Sequence, residues 1–182
     1  MAGFGSPPKK KKAIKRDTSK LRSEEGIKQS IIEYQQGNLE GAKIAAEKVL
    51  QADHTNSFAL GFLATLEKAL GNNERALKLF KRSTEIRQDN PDILHNYSGL
   101  LEEHDPEKAI ILSDKAIHIS PENSRYLERN GYLKWQAGDL ENALEATLKA
   151  ISLNPCLIDA QMNLGGIYKD LGNLDQALAS IL

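Results

Sequence analysis

The most regular apolar positions in this chain are held by its smallest side chains. Ala42, Ala76, Ala109, Ala143 and Ala177 recur at separations of 34, 33, 34 and 34 residues, and Ser30, Ala64, Ser98, Gly131 and Gly165 precede them by twelve positions, or eleven at Ser98. Small residues at matched places on facing helices let two backbones approach closely, whereas large ones overpack the contact. A turn separates the two sets. Gly37-Asn38, Gly71-Asn72, Gly138-Asp139 and Gly172-Asn173 each place a glycine five residues before the alanine. Glycine supplies the left-handed backbone that ends one helix, and the Asn or Asp after it suits the cap of the next. The third unit is one residue shorter and lacks the glycine. It reaches the same corner through His104-Asp105-Pro106-Glu107, with an Asp cap and proline at the first helical position.

Laid out on this period, the chain divides into units 23–56, 57–90, 91–123, 124–157 and an incomplete 158–182. A constant spacing of this size marks stacked helix pairs. The run Asn163-Leu164-Gly165-Gly166-Ile167-Tyr168-Lys169-Asp170-Leu171-Gly172-Asn173-Leu174-Asp175-Gln176-Ala177 resembles the tetratricopeptide repeat, in particular the repeats of O-linked N-acetylglucosamine transferase and of bacterial transferase-fused proteins. Unit four also fits through Ala143, Ala150 and Pro155, with Lys134 at the usual tyrosine. Unit one departs most, with Glu33 at the tyrosine position, Ala46 at the second aromatic, Val49 for alanine and His54 for proline. The resemblance implies an all-α fold: an α-solenoid, a right-handed superhelix of antiparallel helix pairs about four and a half units long.

Charge is unevenly placed. Residues 1–22 hold eight Lys or Arg against Asp17, a balance of +7, while the other 160 residues hold 16 basic and 24 acidic groups. With Pro7-Pro8, Gly3, Gly5 and a lysine run, 1–22 is expected to be a disordered basic tail. It would be a solvated leader, fold back on the acidic array, or contact anionic surfaces nonspecifically. No aromatic residues interleave with its lysines, so no specific nucleic-acid partner is expected.

Chemistry is sparse. His54, His95, His104 and His118 fall at different repeat positions, and no HExxH pair, triad or phosphate loop is present, so neither an enzyme, a metal nor a cofactor is expected. Cys156 is the only cysteine, no apolar stretch is long enough to cross a bilayer, and a cytoplasmic location is expected.

The resemblance places binding on the first helix of each pair. Arg125, Arg129, Tyr132 and Gln136 follow i, i+4, i+7 and i+11 spacing, with Trp135 beside Tyr132; His95 and Asn96 occupy the equivalent face of unit three, and Met162, Asn163, Gly166 and Lys169 that of unit five. Guanidinium groups suit carboxylates and carbonyls, and aromatics give apolar contact at low entropic cost. The candidate peptide site is therefore His95, Asn96, Arg125, Arg129, Tyr132, Trp135, Asn163 and Lys169, with Gly99 and Gly166 leaving room for an extended chain. Two other arrangements fit these residues: Glu128 paired with Arg125 or Arg129, and Trp135 packed between units. Against the family's carboxylate clamp, Asn96, Arg125 and Arg129 match and Gly61 and Thr65 do not. Against its asparagine ladder, Asn96 and Asn163 match, while Lys28, Phe62 and Arg129 do not.

The expected function is a protein–protein interaction scaffold holding an extended peptide, the alternative being the noncatalytic recruiting segment of a tetratricopeptide-fused transferase. The incomplete last unit leaves apolar surface through which oligomers could form.

Overall fold

Short polar side chains set five of the described helix starts. The computed structural model describes the backbone of residues 10–179 and the side chains of 21–177, and over these residues the chain forms ten helices: α1 (Lys10–Gln35), α2 (Leu39–Ala52), α3 (Ser57–Ala69), α4 (Asn73–Ile86), α5 (Pro91–Leu101), α6 (Pro106–Ile119), α7 (Ser124–Gln136), α8 (Leu140–Leu153), α9 (Ile158–Asp170) and α10 (Leu174–Ala179). Asn56, Asn90 and Asn123 start α3, α5 and α7 by accepting from the backbone N–H of Ala59, Ile93 and Tyr126. Asn38 and Asp105 cap α2 and α6 through Gly41 and Lys108. Asp139 departs from the expected cap. Its carboxylate accepts no backbone N–H and is held from both oxygens by the Asn142 amide at 2.9 Å.

The glycine turns behave as backbone chemistry requires. Gly37, Gly71, Gly138 and Gly172 have φ of 78, 80, 80 and 79°, a region that costs other L-residues about 1–2 kcal/mol. The residue after each donates back to the carbonyl of Glu33, Glu67, Lys134 or Tyr168 at 2.8–2.9 Å, closing the helix end.

The chain divides after Ile86 into two units. In the first, α1 packs on α2, α2 on α3 and α3 on α4. In the second, each helix from α5 to α10 packs on the next, and α7 also touches α5 and α9. The periodic alanines lie at the centre of the pairs: Ala42, Ala76, Ala109 and Ala143 have no exposed surface. Their small partners are buried too. Ser30 gives its hydroxyl to the Ala42 carbonyl at 2.6 Å, and Gly131 faces the Ala143 carbonyl and Thr147. Leu127, Ala150 and Ala160 join neighbouring pairs of the second unit, with Ile117, Ile151 and Leu157 packed around them.

Helix α1 begins at Lys10, inside the stretch expected to be a disordered tail. No proline follows Pro8 before Pro91, and Lys, Arg and Ala propagate a helix well. Residues 1–9 and 180–182 lie outside the described residues, and with them part of the basic tail and of the open end assigned to oligomer contact. No described helix is long and apolar enough to cross a membrane.

Candidate functional site

Asn123 accepts from the backbone N–H of both Arg125 and Tyr126, which fixes where α7 starts and therefore which face its 3.6-residue period presents. That face lies between α5 and α9, and side chains bridge it in both directions. Toward α5, the Tyr126 hydroxyl donates to Asp92 at 2.6 Å and Arg129 Nη1 donates to Glu102 at 2.9 Å. Toward α9, Asn163 Nδ2 donates to Glu128 at 3.0 Å and Trp135 Nε1 to Asp170 at 2.7 Å.

The eight expected site residues all lie on α5, α7 and α9. Arg125 and Lys169 are exposed. Arg129 is half-buried, held by Glu102 and stacked over Tyr132 at 5.8 Å from the ring centre, with its Nε buried and without an acceptor among the described residues. Among the described residues neither arginine forms an ion pair with Glu128, and Arg129 is paired across the helices with Glu102 instead. His95 packs its ring on Tyr126 with centroids 5.1 Å apart, and Asn96 is half-buried beside it in sequence. Asn163 is only 8% exposed and spends its amide on Glu128. Arg129→Ala is expected to cost about 1 kcal/mol in urea unfolding, since the pair it breaks is partly shielded.

Trp135 alters the expected groove. The space over Gly166 is filled by the indole, whose Cη2 and Cζ2 lie where a Cβ on Gly166 would sit. The ring is half-buried, meets Tyr132 edge-on at 6.3 Å and is anchored by Asp170. Gly166 therefore serves the tryptophan and leaves no open room there for a peptide. Gly166→Val is expected to evict the indole and shift its emission to longer wavelength, a clean signal because Trp135 is the only tryptophan. An unchanged spectrum would show that the ring rests elsewhere.

Three groups on this face titrate away from their ordinary ranges. Burial, then the Asp92 carboxylate, push the Tyr126 phenol upward, and burial with Glu102 does the same to Tyr132. Burial also raises the Glu128 carboxyl above its ordinary 4.5, against the lowering pull of Arg129, Asn163 and Arg125 and with a further push from Asp159. A raised carboxyl binds its proton more tightly in the folded chain, so this stabilisation is full below the ordinary value and is lost as pH rises through the folded one. Glu128→Gln should flatten that dependence when melting is followed from about pH 4 to about pH 7. A slope equal to the parent's would exclude Glu128 as its source.

Sequence reasoning missed the acidic half of this face as structure: Asp92, Glu102, Glu128 and Asp170 tie the helices together. It also missed an aromatic cluster in the first unit. Phe58 stacks parallel to Phe62 at 6.2 Å and Tyr34 meets Phe62 edge-on at 5.8 Å, with Tyr34 and Phe58 exposed. The i, i+4 spacing of Phe58 and Phe62 was the available signal. Among the described residues no group of three or more His, Cys, Asp or Glu is arranged to hold a metal ion.

Comparison with known proteins agrees with the geometry of the pairs. The tetratricopeptide repeat model matches residues 125–155 and 158–182. Over 104 residues, 56% of this chain, the sequence is 34% identical to the TPR repeat-containing protein MJ1428 of Methanocaldococcus jannaschii, covering 18% of that protein. The chain spans less than a fifth of the length of the curated relatives it matches. Among solved structures, MamA superposes with a TM-score of 0.72 at 24% identity, over 83% of this chain and 89% of that one. YrrB, described as a TPR protein with an unusual peptide-binding site, superposes with a TM-score of 0.75 at 19% identity, over 93% and 87%. These likenesses are of fold.

Proposed function

Because this chain is a tetratricopeptide-repeat protein, we propose that it acts as a protein–protein interaction scaffold, and that α5, α7 and α9 form the face on which an extended peptide lies. One observation carries the reading: the row of side-chain bonds from Asp92 and Glu102 through α7 to Asn163 and Asp170. Groups held in place before a partner arrives lose less freedom on binding. Beside that row Arg125 and Lys169 stay exposed, and Tyr132 and Trp135 supply aromatic surface. The face thus offers cations for a partner's carboxylates or carbonyls and flat apolar area for its side chains.

A peptide array read by fluorescence polarisation tests this. Arg125→Ala is expected to weaken the best binder at least about fivefold, the loss of roughly 1 kcal/mol typical of an interface arginine. Binding unchanged by Arg125→Ala and Lys169→Ala together would remove this face from the function.

A further inference from the structure

An open cleft of about 380 Å³ lies in the first unit, between α2 and α4 and floored by α3. It is separate from the face of α5, α7 and α9 and uses other helices. Its volume falls at the small end of the range for ligand sites. Leu50, Leu60, Leu63 and Leu79 line its interior, so an apolar side chain entering it would leave water for hydrocarbon.

The rim decides what that side chain should be attached to. Glu47 is already satisfied by Arg75 at 2.7 Å, and Arg75 also reaches the buried Glu67 at 2.9 Å. Arg82 differs. It is exposed, and it donates to a neutral acceptor, the His54 carbonyl, at 3.3 Å, with no ion pair among the described residues. The exposed His54 stands on the same rim. The charge left uncompensated at this mouth is positive, and a guanidinium with spare N–H groups is suited to a carboxylate. The same repeat position is basic in every complete unit, as Lys48, Arg82, Lys115 and Lys149.

We infer that this cleft is a second binding site, for a peptide that carries a bulky apolar residue next to an acidic one. The apolar side chain sits on the four leucines and the carboxylate on Arg82. The rim charge selects for sequence and the leucine floor supplies most of the affinity.

The test is a titration of the full ¹⁵N-labelled chain with two blocked hexapeptides, one reading Asp-Glu-Leu-Phe-Asp-Glu and the other with lysine in place of each acid. Two variants accompany it, Arg82→Glu and Gln51→Trp. Both positions are exposed, and melting curves check that the fold is kept. The acidic peptide should shift the amides of Leu50, Leu63, Leu79 and Arg82. Its affinity should fall at least fivefold in either variant, and Arg82→Glu should gain affinity for the lysine peptide. No shift at these amides with millimolar acidic peptide would overturn the inference, as would equal binding of the two peptides by the parent chain. Shifts confined to α5, α7 and α9 would overturn it too, while leaving the proposed scaffold face intact.

Discussion

Gly131→Leu should destabilise the second unit by about 3 kcal/mol, the upper part of the range for overpacked cores, and lower the melting temperature by roughly 6–12 °C. The cause is the distance between α7 and α8. A Cβ on Gly131 would collide with Thr147 Oγ1 and stand 3.2 Å from the Ala143 carbonyl and 3.3 Å from the Thr147 nitrogen. Two of these three atoms are backbone, so the helices themselves must separate. Helix propensity works the other way, since glycine in a helix interior costs about 1 kcal/mol against alanine, yet the collision outweighs it. Thr147 gives a second reading of the same contact. Its hydroxyl is buried without a partner among the described residues, so Thr147→Ala should rescue much of the loss in Gly131→Ala. Hydrogen exchange would locate the damage in α7 and α8. If Gly131→Leu melts within about 2 °C of the parent, close approach of this pair is not what holds the unit together.

Glu67→Ala is expected to cost about 3 kcal/mol in the first unit, the low end for removing one member of a buried ion pair. The carboxylate has no exposed surface. Oε1 faces Lys43 Nζ at 3.3 Å and Arg75 Nη1 at 2.9 Å, while Oε2 accepts from Asn72 Nδ2 at 2.7 Å. One side chain on α3 therefore ties together α2, α4 and the turn after Gly71. The low end applies because the Arg75 side chain is 50% exposed and can rehydrate when its partner leaves. The effect should persist at about 1 M NaCl, since screening acts on charges in water and the carboxylate is out of it. An Arg75→Ala double-mutant cycle isolates the pair. A loss under about 1 kcal/mol, or one that vanishes in high salt, would reduce Glu67 to an ordinary surface acid.

These two sites differ in how legible they were. Gly131 stood out in the sequence because its spacing from Ala143 repeats elsewhere, and the constraint is one of size. Glu67 occupies the position where the repeat usually carries an aromatic, as does Glu33, and nothing local announces that Lys43 and Arg75 converge on it. Glu33 shows the neighbouring part of the pattern, since the Asn38 amide donates to it at 2.7 Å as Asn72 does to Glu67. The candidate face was legible in the same uneven way. The stripe Arg125, Arg129 and Tyr132 follows from helical period alone. The helix that would engage Arg129 did not, because Glu102 lies 27 residues away along the chain and becomes a neighbour only through packing. Trp135 was placed beside Tyr132 by spacing, but its seat on Gly166 depends on how α9 lies against α7.

By itself, the sequence determined the helix pairs, their close-packed alanine seams and the left-handed glycine turns, because small size and positive φ are demands on single residues that recur with the period. Only the tertiary structure decided which charges are spent and which stay available: Arg129 and Glu67 are held in ion pairs, Arg125 and Arg82 have none among the described residues, and a cleft opens between α2 and α4. The physical reason is that an ion pair or a cavity belongs to two or more helices at once, and its existence depends on their mutual register to within about an ångström, which no periodicity along one chain encodes.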